Sequence, residues 1–343
     1  MSVKDIKNYS LEELGSFLSK NGYPKFYARQ IFEWVYKKRI YDFSLMSNIS
    51  KTARRFLKTN FYFSQLELLK EESSRDGTRK FLFRLNDKDS IETVLIPEGQ
   101  RNTLCISSQV GCRFKCAFCA SGEAGFRRNL EVSEIINQYL SVSPMISPHL
   151  VTNIVFMGIG EPLDNFKNTI TAIRVFMEPV GIHFGKRRIC VSTCGLIPKI
   201  SQLAKLDLDI KFSLSLHSAD QAIRTQLMPI NKKYPLKELM KAVRTLAEAK
   251  KYPITFEYVL IHALNTKKED ALKLAKLLKG MHSKVNLICY NGDDPVFRVP
   301  SPEEVSNFEN EMEKNGIFFT LRKSRGQDIN AACGQLRARL ALR

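Results

Sequence analysis

The sequence predicts an α/β protein. A parallel sheet with crossover helices is expected to wind as a complete or partial (β/α) barrel, behind a small basic helical module and a short β extension. Three observations carry this. From about residue 103 onward, strand-like and helix-like segments alternate, the pattern of a parallel sheet whose helices return the chain. Before residue 60, apolar residues recur at helical spacing amid excess positive charge. Four of the eight cysteines lie within residues 105–119, in and just after the first barrel strand.

In chain order, LEELGSFLSKNG reads as an amphipathic helix stopped at Asn21-Gly22. PKFYARQIFEWVYKKR and ISKTARRFLKTN supply two more helices. Residues 1–60 hold 12 Lys and Arg against 5 Asp and Glu. Phe32, Trp34 and Tyr36 are expected in the module's core, with the basic face in solvent. RKFLFRL and IETVLIP, joined by the turn NDKDS, form a two-stranded extension. The barrel strands are TLCIS, TNIVFM, RICVS, IKFSLS, ITFEYVLI, VNLIC and IFFTL. EVSEIINQYL, FKNTITAIRVFM, LIPKISQLAKL, PLKELMKAVRTLAEA, KEDALKLAKLLK and PEEVSNFENEMEKNG lie between them as helices. Mixed apolar runs suit strands covered on both faces. No repeat of fixed period and no low-complexity tract interrupts the pattern.

The chain's 343 residues are 44% apolar and 26% charged, enough for a sizeable core. No uncharged apolar run is long enough to span a bilayer. The start, MSVKDIKNYSLEEL, carries charge and no apolar signal core, so a cytosolic protein with reduced thiols is expected. The formal charge is +18. Basic residues beside aromatics, as in FYARQIFEWVYKKRIYDF, FRRNL and GKRRIC, point to a nucleic-acid partner.

Cys112, Cys116 and Cys119 form C-x3-C-x2-C. With Cys105 as a fourth ligand they would make a structural zinc site. Alternatively, three thiolates hold a [4Fe–4S] cluster with one iron left open. An open iron can chelate the amine and carboxylate of S-adenosylmethionine (SAM) and deliver an electron to its sulfonium. In a barrel of this kind chemistry sits at the C-terminal strand ends. Those ends carry GIGEP (Gly158–Pro162), TCG, SLH (Ser215–His217), Tyr290-Asn291 and a final loop with Cys333.

C-x3-C-x2-C just after the first barrel strand is similar to the signature of the radical SAM superfamily. GIGEP resembles its Gly-Glu-Pro loop, which cradles the SAM amino group. QVGCRFKCAFCASG, FMGIGEPL, VSTCGLIP, SLH, LMPINKKYPL and DINAACGQL, in that order, together resemble the RNA adenine methyltransferases of the RlmN/Cfr family. The resemblance covers nearly the whole chain. It implies a partial (β/α)6-type radical SAM barrel with a helical N-terminal domain at 1–70, a β extension at 71–104 and the core at 105–343. It implies that Cys112, Cys116 and Cys119 bind the cluster, and that Gly160, Glu161, Ser192, Ser215, Leu216, His217 and Asn291 line SAM. Cys333 would become S-methylated, Cys105 would resolve it through a transient disulfide, and Glu92 would be the base.

The family's substrates imply 23S rRNA near the peptidyl-transferase centre and the adenosine 3′ of the anticodon in tRNA as partners. A donor such as flavodoxin or ferredoxin, and a monomer, are also expected. Family members methylate carbon 2 or carbon 8 of adenine. Members of the carbon-8 group resemble Gly-Glu-Ala where this chain has Gly160-Glu161-Pro162, which favours carbon 2. A zinc-stabilised RNA-binding protein and another radical SAM enzyme are the competing classes, and neither has a use for DINAACGQL. Cys190, Cys194 and Cys289 read as small buried apolar residues. His149, His183, His262 and His282 have no assigned role.

Overall fold

The computed structural model describes residues 3–123, 125–292 and 296–336. Ten strands make one sheet, and their order across it is their order in the chain. They are β1 (Glu67–Ser73), β2 (Arg79–Arg84), β3 (Ser90–Glu98), β4 (Arg101–Cys105), β5 (Asn153–Phe156), β6 (Ile189–Thr193), β7 (Lys211–Ser215), β8 (Ile254–Leu260), β9 (Ser283–Cys289) and β10 (Phe319–Arg322). Neighbours from β1 to β4 are antiparallel. From β4 to β10 all are parallel. β1 and β10 remain the edges, so the barrel is open.

Three helices form the N-terminal module: α1 (Leu11–Lys20), α2 (Tyr27–Phe32, continued by a π-helical turn at Glu33–Lys37) and α3 (Lys51–Asn60). Ser10 and Glu13 close a capping box on α1, satisfying two of the backbone donors that a helix start leaves free. Phe32, Trp34 and Tyr36 are buried. The crossovers contain α4 (Val132–Met145), α5 (Phe166–Met177), α6 (Ile197–Ala204), α7 (Leu236–Ala249), α8 (Lys268–Leu278) and α9 (Pro302–Lys314), with two further short helices, Ala120–Glu123 before α4 and Gln221–Leu227 before α7.

The module is fastened to the barrel by a buried polar cluster near the start of α4. Lys7 pairs with Asp5 at 3.4 Å and donates to the Ser64 carbonyl at 2.7 Å. Asn137 of α4 donates to the same carbonyl at 3.2 Å. One continuous apolar core runs from Leu14 and Leu18 of α1 to Phe308 and Met312 of α9.

The extension has three strands where the sequence predicts two. The added strand, β1, reads ELLKEES and is mostly exposed. An edge strand with charges along it has no buried face to print an apolar alternation, and those charges also discourage edge-to-edge pairing.

Within the parallel strands the two faces differ. Val191, Phe212, Leu214 and Phe256 are buried in the apolar core. Ser192 and Ser213 are register partners, as are Ser215, Glu257 and Asn286. They put a polar row on the opposite face, where Ser213 and Asn286 both donate to Glu257, at 3.0 and 3.1 Å.

Candidate active site at the C-terminal strand ends

The loop after β4 carries Cys112, Cys116 and Cys119. Its base is a small antiparallel ladder, Gln109–Gly111 with Phe126–Asn129, which brings both ends of the loop together. Cys119 N–H donates to the Cys116 carbonyl at 3.0 Å, and Ala117 N–H to the Leu227 carbonyl at 2.9 Å. Burial raises the pKa of all three thiols, Cys112 to about 12, and Cys119 and Cys112 each raise Cys116 further by like-charge repulsion. The thiols therefore lie close enough to influence one another. Among the described residues, no three His, Cys, Asp or Glu side chains gather as a single metal ion would need. A cubane cluster asks for something else, because each thiolate binds a different iron.

The residues expected around SAM sit at neighbouring strand ends. Gly160 has φ +101°, and a Cβ there would lie 2.5 Å from Gln109 Cβ, so only glycine fits. Glu161 is buried, and burial pushes its pKa up. Its two oxygens accept N–H bonds from Leu163 at 2.9 Å and Cys194 at 2.7 Å. His217 also has a left-handed backbone, φ +57°. Its Nδ1 accepts from Val259 N–H at 3.1 Å, which leaves hydrogen on Nε2. Burial and then the Arg224 charge lower its pKa to about 3, so the ring is neutral. Phe118 of the cysteine loop packs edge-on against it, centroids 4.5 Å apart.

Asn291, just after β9, has a buried side-chain nitrogen without a hydrogen-bond partner among the described residues, a donor waiting for an acceptor. Leu216 is different: its N–H goes to Glu257 and its carbonyl accepts from Arg224 and Ser218. Its backbone groups are already engaged, and its side chain is buried in the apolar core. Thiols, carboxylate, neutral imidazole and orphaned amide thus fit the cluster and SAM: Cys112, Cys116 and Cys119 for iron, the others around SAM.

The final loop returns Cys333 to this place. Ala120 N–H donates to the Gly334 carbonyl at 2.7 Å, and Ser121 Oγ to the Leu336 carbonyl at 2.8 Å. Gly334 has φ +84°, and a Cβ would meet the Phe118 carbonyl at 3.1 Å, so glycine lets the two loops lie against each other. Gln335 donates to the Asn291 carbonyl at 2.8 Å. Cys333 is exposed. The protein around the thiol still pushes its pKa up, as does Glu257 beneath it, against the pull of Arg322. Cys105, at the end of β4, is buried. Burial and the nearby Cys333 push its pKa up, while a hydrogen bond from Met157 N–H opposes them. Val94, Cys105, Ile159, Ala331 and Leu336 form a small apolar cluster under the loop.

Glu92 lies on the same face, 6 % exposed, with Lys80 at 3.5 Å. Lys80 also donates to the Ile329 carbonyl at 2.6 Å.

Several groups at the site differ from their sequence expectation or have none. Cys194 is buried in the apolar core as the sequence expects, and in addition its backbone N–H holds Glu161 and its backbone carbonyl holds Arg224. Cys190 and Cys289 are half-buried rather than buried, Cys190 lying 3.5 Å from Ser213 Oγ. Arg224, Lys80 and Glu257 have no motif of their own; only period-2 counting along ITFEYVLI could have put Glu257 on the polar face.

Residues 106–278 match the family model of the Radical SAM superfamily, and residues 4–62 that of the Ribosomal RNA large subunit methyltransferase N-terminal domain. A probable dual-specificity RNA methyltransferase RlmN from Spiroplasma citri is 44% identical over 98% of both chains. Another from Chloroherpeton thalassium is 46% identical over 97% of this chain and 93% of that one. A crystal structure of a radical SAM methyltransferase from Sphaerobacter thermophilus superposes with a TM-score of 0.90 at 40% identity, covering 98% of this chain and all of that one. The class is therefore that of the radical SAM enzymes, which use a [4Fe–4S] cluster and SAM. Within it, the chain belongs to the RlmN family of RNA methyltransferases.

Proposed function

We propose that the chain methylates carbon 2 of an adenosine in the peptidyl-transferase region of 23S rRNA, and of the adenosine 3′ of the anticodon in tRNA, through an S-methylated Cys333. The observation that carries this reading is the seating of the Cys333 loop on the cysteine loop through Ala120 and Ser121, with Cys105 beside it. The RlmN relatives, whose names give them dual specificity, support the two RNA substrates.

The target carbon is electron-poor and carries an ordinary C–H bond, so direct transfer from an electrophilic methyl donor is disfavoured. A thiolate at Cys333 is a proper nucleophile for the methyl of SAM. When bound, the cluster and a second SAM supply a 5′-deoxyadenosyl radical, at the cost of one electron from a donor such as flavodoxin or ferredoxin. Loss of a hydrogen atom leaves a methylene radical on the Cys333 sulfur, which adds to the adenine carbon. The adduct passes one electron, equal to the one spent, back to the oxidised flavodoxin- or ferredoxin-type carrier, and its ring proton passes to Glu92. Cys105 thiolate then attacks the Cys333 sulfur. The carbon–sulfur bond breaks, the carbon takes a proton to become methyl, and a disulfide is left for a thiol reductant to reopen. Neutral His217 and the Gly160-Glu161 turn orient SAM, and the buried amide of Asn291 has a donor free for it. The chain works as a monomer in this reading.

The test is anaerobic reaction of the iron-loaded protein with tRNA and with an rRNA fragment, followed by nucleoside analysis. 2-Methyladenosine from both is expected. 8-Methyladenosine, or no methylated adenosine from a chain that cleaves SAM, overturns the proposal.

A further inference from the structure

Arg224 is among the largest fully buried side chains in the molecule, with no measurable exposure. Its guanidinium donates to the carbonyls of Ser215 at 2.8 Å and Cys194 at 2.9 Å, to the Leu216 carbonyl, and to Asn231 Oδ1 at 3.2 Å. All these acceptors are neutral. Among the described residues no carboxylate forms an ion pair with it, and the acidic groups that act on its charge are the thiols of Cys194 and Cys116. Lys7, a cation that is also fully buried, has Asp5 at 3.4 Å. A buried cation without an anion is costly, and the usual remedy is a partner of opposite charge.

We propose that Arg224 is a positioning residue whose guanidinium is the built-in counter-charge of the thiolate-held cluster, while its hydrogen bonds fix the strand-end carbonyls of Cys194, Ser215 and Leu216. This rests on the cluster reading of Cys112, Cys116 and Cys119. Three thiolates make the bound cluster a net anion, more so after reduction, and net charge is one of the levers on cluster potential. The Arg224 guanidinium bonds the Leu216 carbonyl, next to the His217 ring on which Phe118 of the cysteine loop packs. The helix that carries it, Gln221–Leu227, is tied to the cysteine loop by the Ala117–Leu227 hydrogen bond.

The arrangement is complementary to what SAM brings. Cys194 is gripped from both sides, its N–H by Glu161 and its carbonyl by Arg224. The carboxylate stands ready for an ammonium, the guanidinium for the cluster's negative charge. The sequence hid this because SLH and LMPINKKYPL flank Arg224 without including it.

The experiment compares wild type, R224K and R224Q, each reconstituted with iron and sulfide without oxygen. Iron content, a reductive titration followed by electron paramagnetic resonance, and thermal unfolding with and without the cluster are measured. R224Q is expected to hold less iron, to reduce at a more negative potential, and to lose stability mainly in the loaded form. R224K, which keeps the charge, is expected to keep most of the potential. If R224Q reduces at the wild-type potential, or loses stability equally with and without cluster, Arg224 is only a structural strut and the proposal falls. Wild type that takes up no iron overturns the cluster reading itself.

Discussion

Lys80 joins two parts of the site that lie 249 residues apart in the chain. Its ammonium is 3.5 Å from Glu92, 3.2 Å from Glu72 and 2.6 Å from the Ile329 carbonyl. Removing it takes one cation from the buried Glu92 carboxylate and one donor from the partly buried Ile329 carbonyl. K80M is therefore expected to cost about 1–3 kcal/mol in chemical denaturation. The double variant K80M/E92Q should be less than additive, because the carboxylate that Lys80 serves is gone. Full additivity would mean that the pair does not interact. Cys105 and Cys333 invite a sharper pair of variants. C333A should give no methylated RNA, a fall of roughly 10³-fold or more. C105A should accumulate protein covalently bound to RNA, visible as a band shift that ribonuclease removes. Ready turnover by C105A would remove the disulfide step from the scheme.

At the scale of elements, the Cys333 loop is held from two sides. The cysteine loop grips it at Gly334 and Leu336, and the turn between β1 and β2 grips it at Gly326 and Asp328. Asp76 accepts from Gly326 N–H at 2.9 Å. Burial opposes ionisation of Asp76, but hydrogen bonds from Thr78, Gly326 and Ser74 outweigh it and lower the pKa to about 2. A carboxyl whose pKa is lower folded than unfolded stabilises above the unfolded value, near 3.9, and the contribution fades as pH falls through about 2. D76N should cost about 1–2 kcal/mol at pH 7. The gap to wild type should shrink as pH falls from about 4 to about 2, with faster hydrogen exchange in residues 326–336. A gap that stays constant with pH would place the anchor elsewhere.

The same elements show what could be read without coordinates. Parallel strands announce themselves through apolar runs such as ITFEYV, and the cysteines through spacing, because both are local patterns. β1, an exposed edge, prints none. Arg224, Lys80 and Cys194 act through backbone groups brought near only by the fold, across 30 residues for Arg224 to Cys194 and 249 for Lys80 to Ile329. No window along the chain contains such a pair.

For the whole molecule the decisive quantity is the charge of +18, and where it sits. An RNA backbone is the partner that matches the charge and the family. Two basic regions compete for the role. One lies at the N-terminal strand ends, where Arg101, Arg188 and Lys284 each act on Lys211 by like-charge repulsion. That end is opposite the cysteines. The other is the helical module, whose Asn8 and Ser64 meet α4 close to its start, the end of that helix that follows the cysteine loop. Lys37, Lys51, Arg55 and Lys58 are exposed there. Neutralising the four by glutamine should weaken tRNA binding and flatten its salt dependence. Log K should change by about 0.7–0.9 less per log unit of salt for each phosphate the variant no longer neutralises. Turnover at saturating RNA should hold, since none of the four touches the site. Neutralising Arg101, Arg188 and Lys284 should leave the slope as it was. If that variant flattens the slope and the module variant does not, the RNA crosses the opposite end of the sheet.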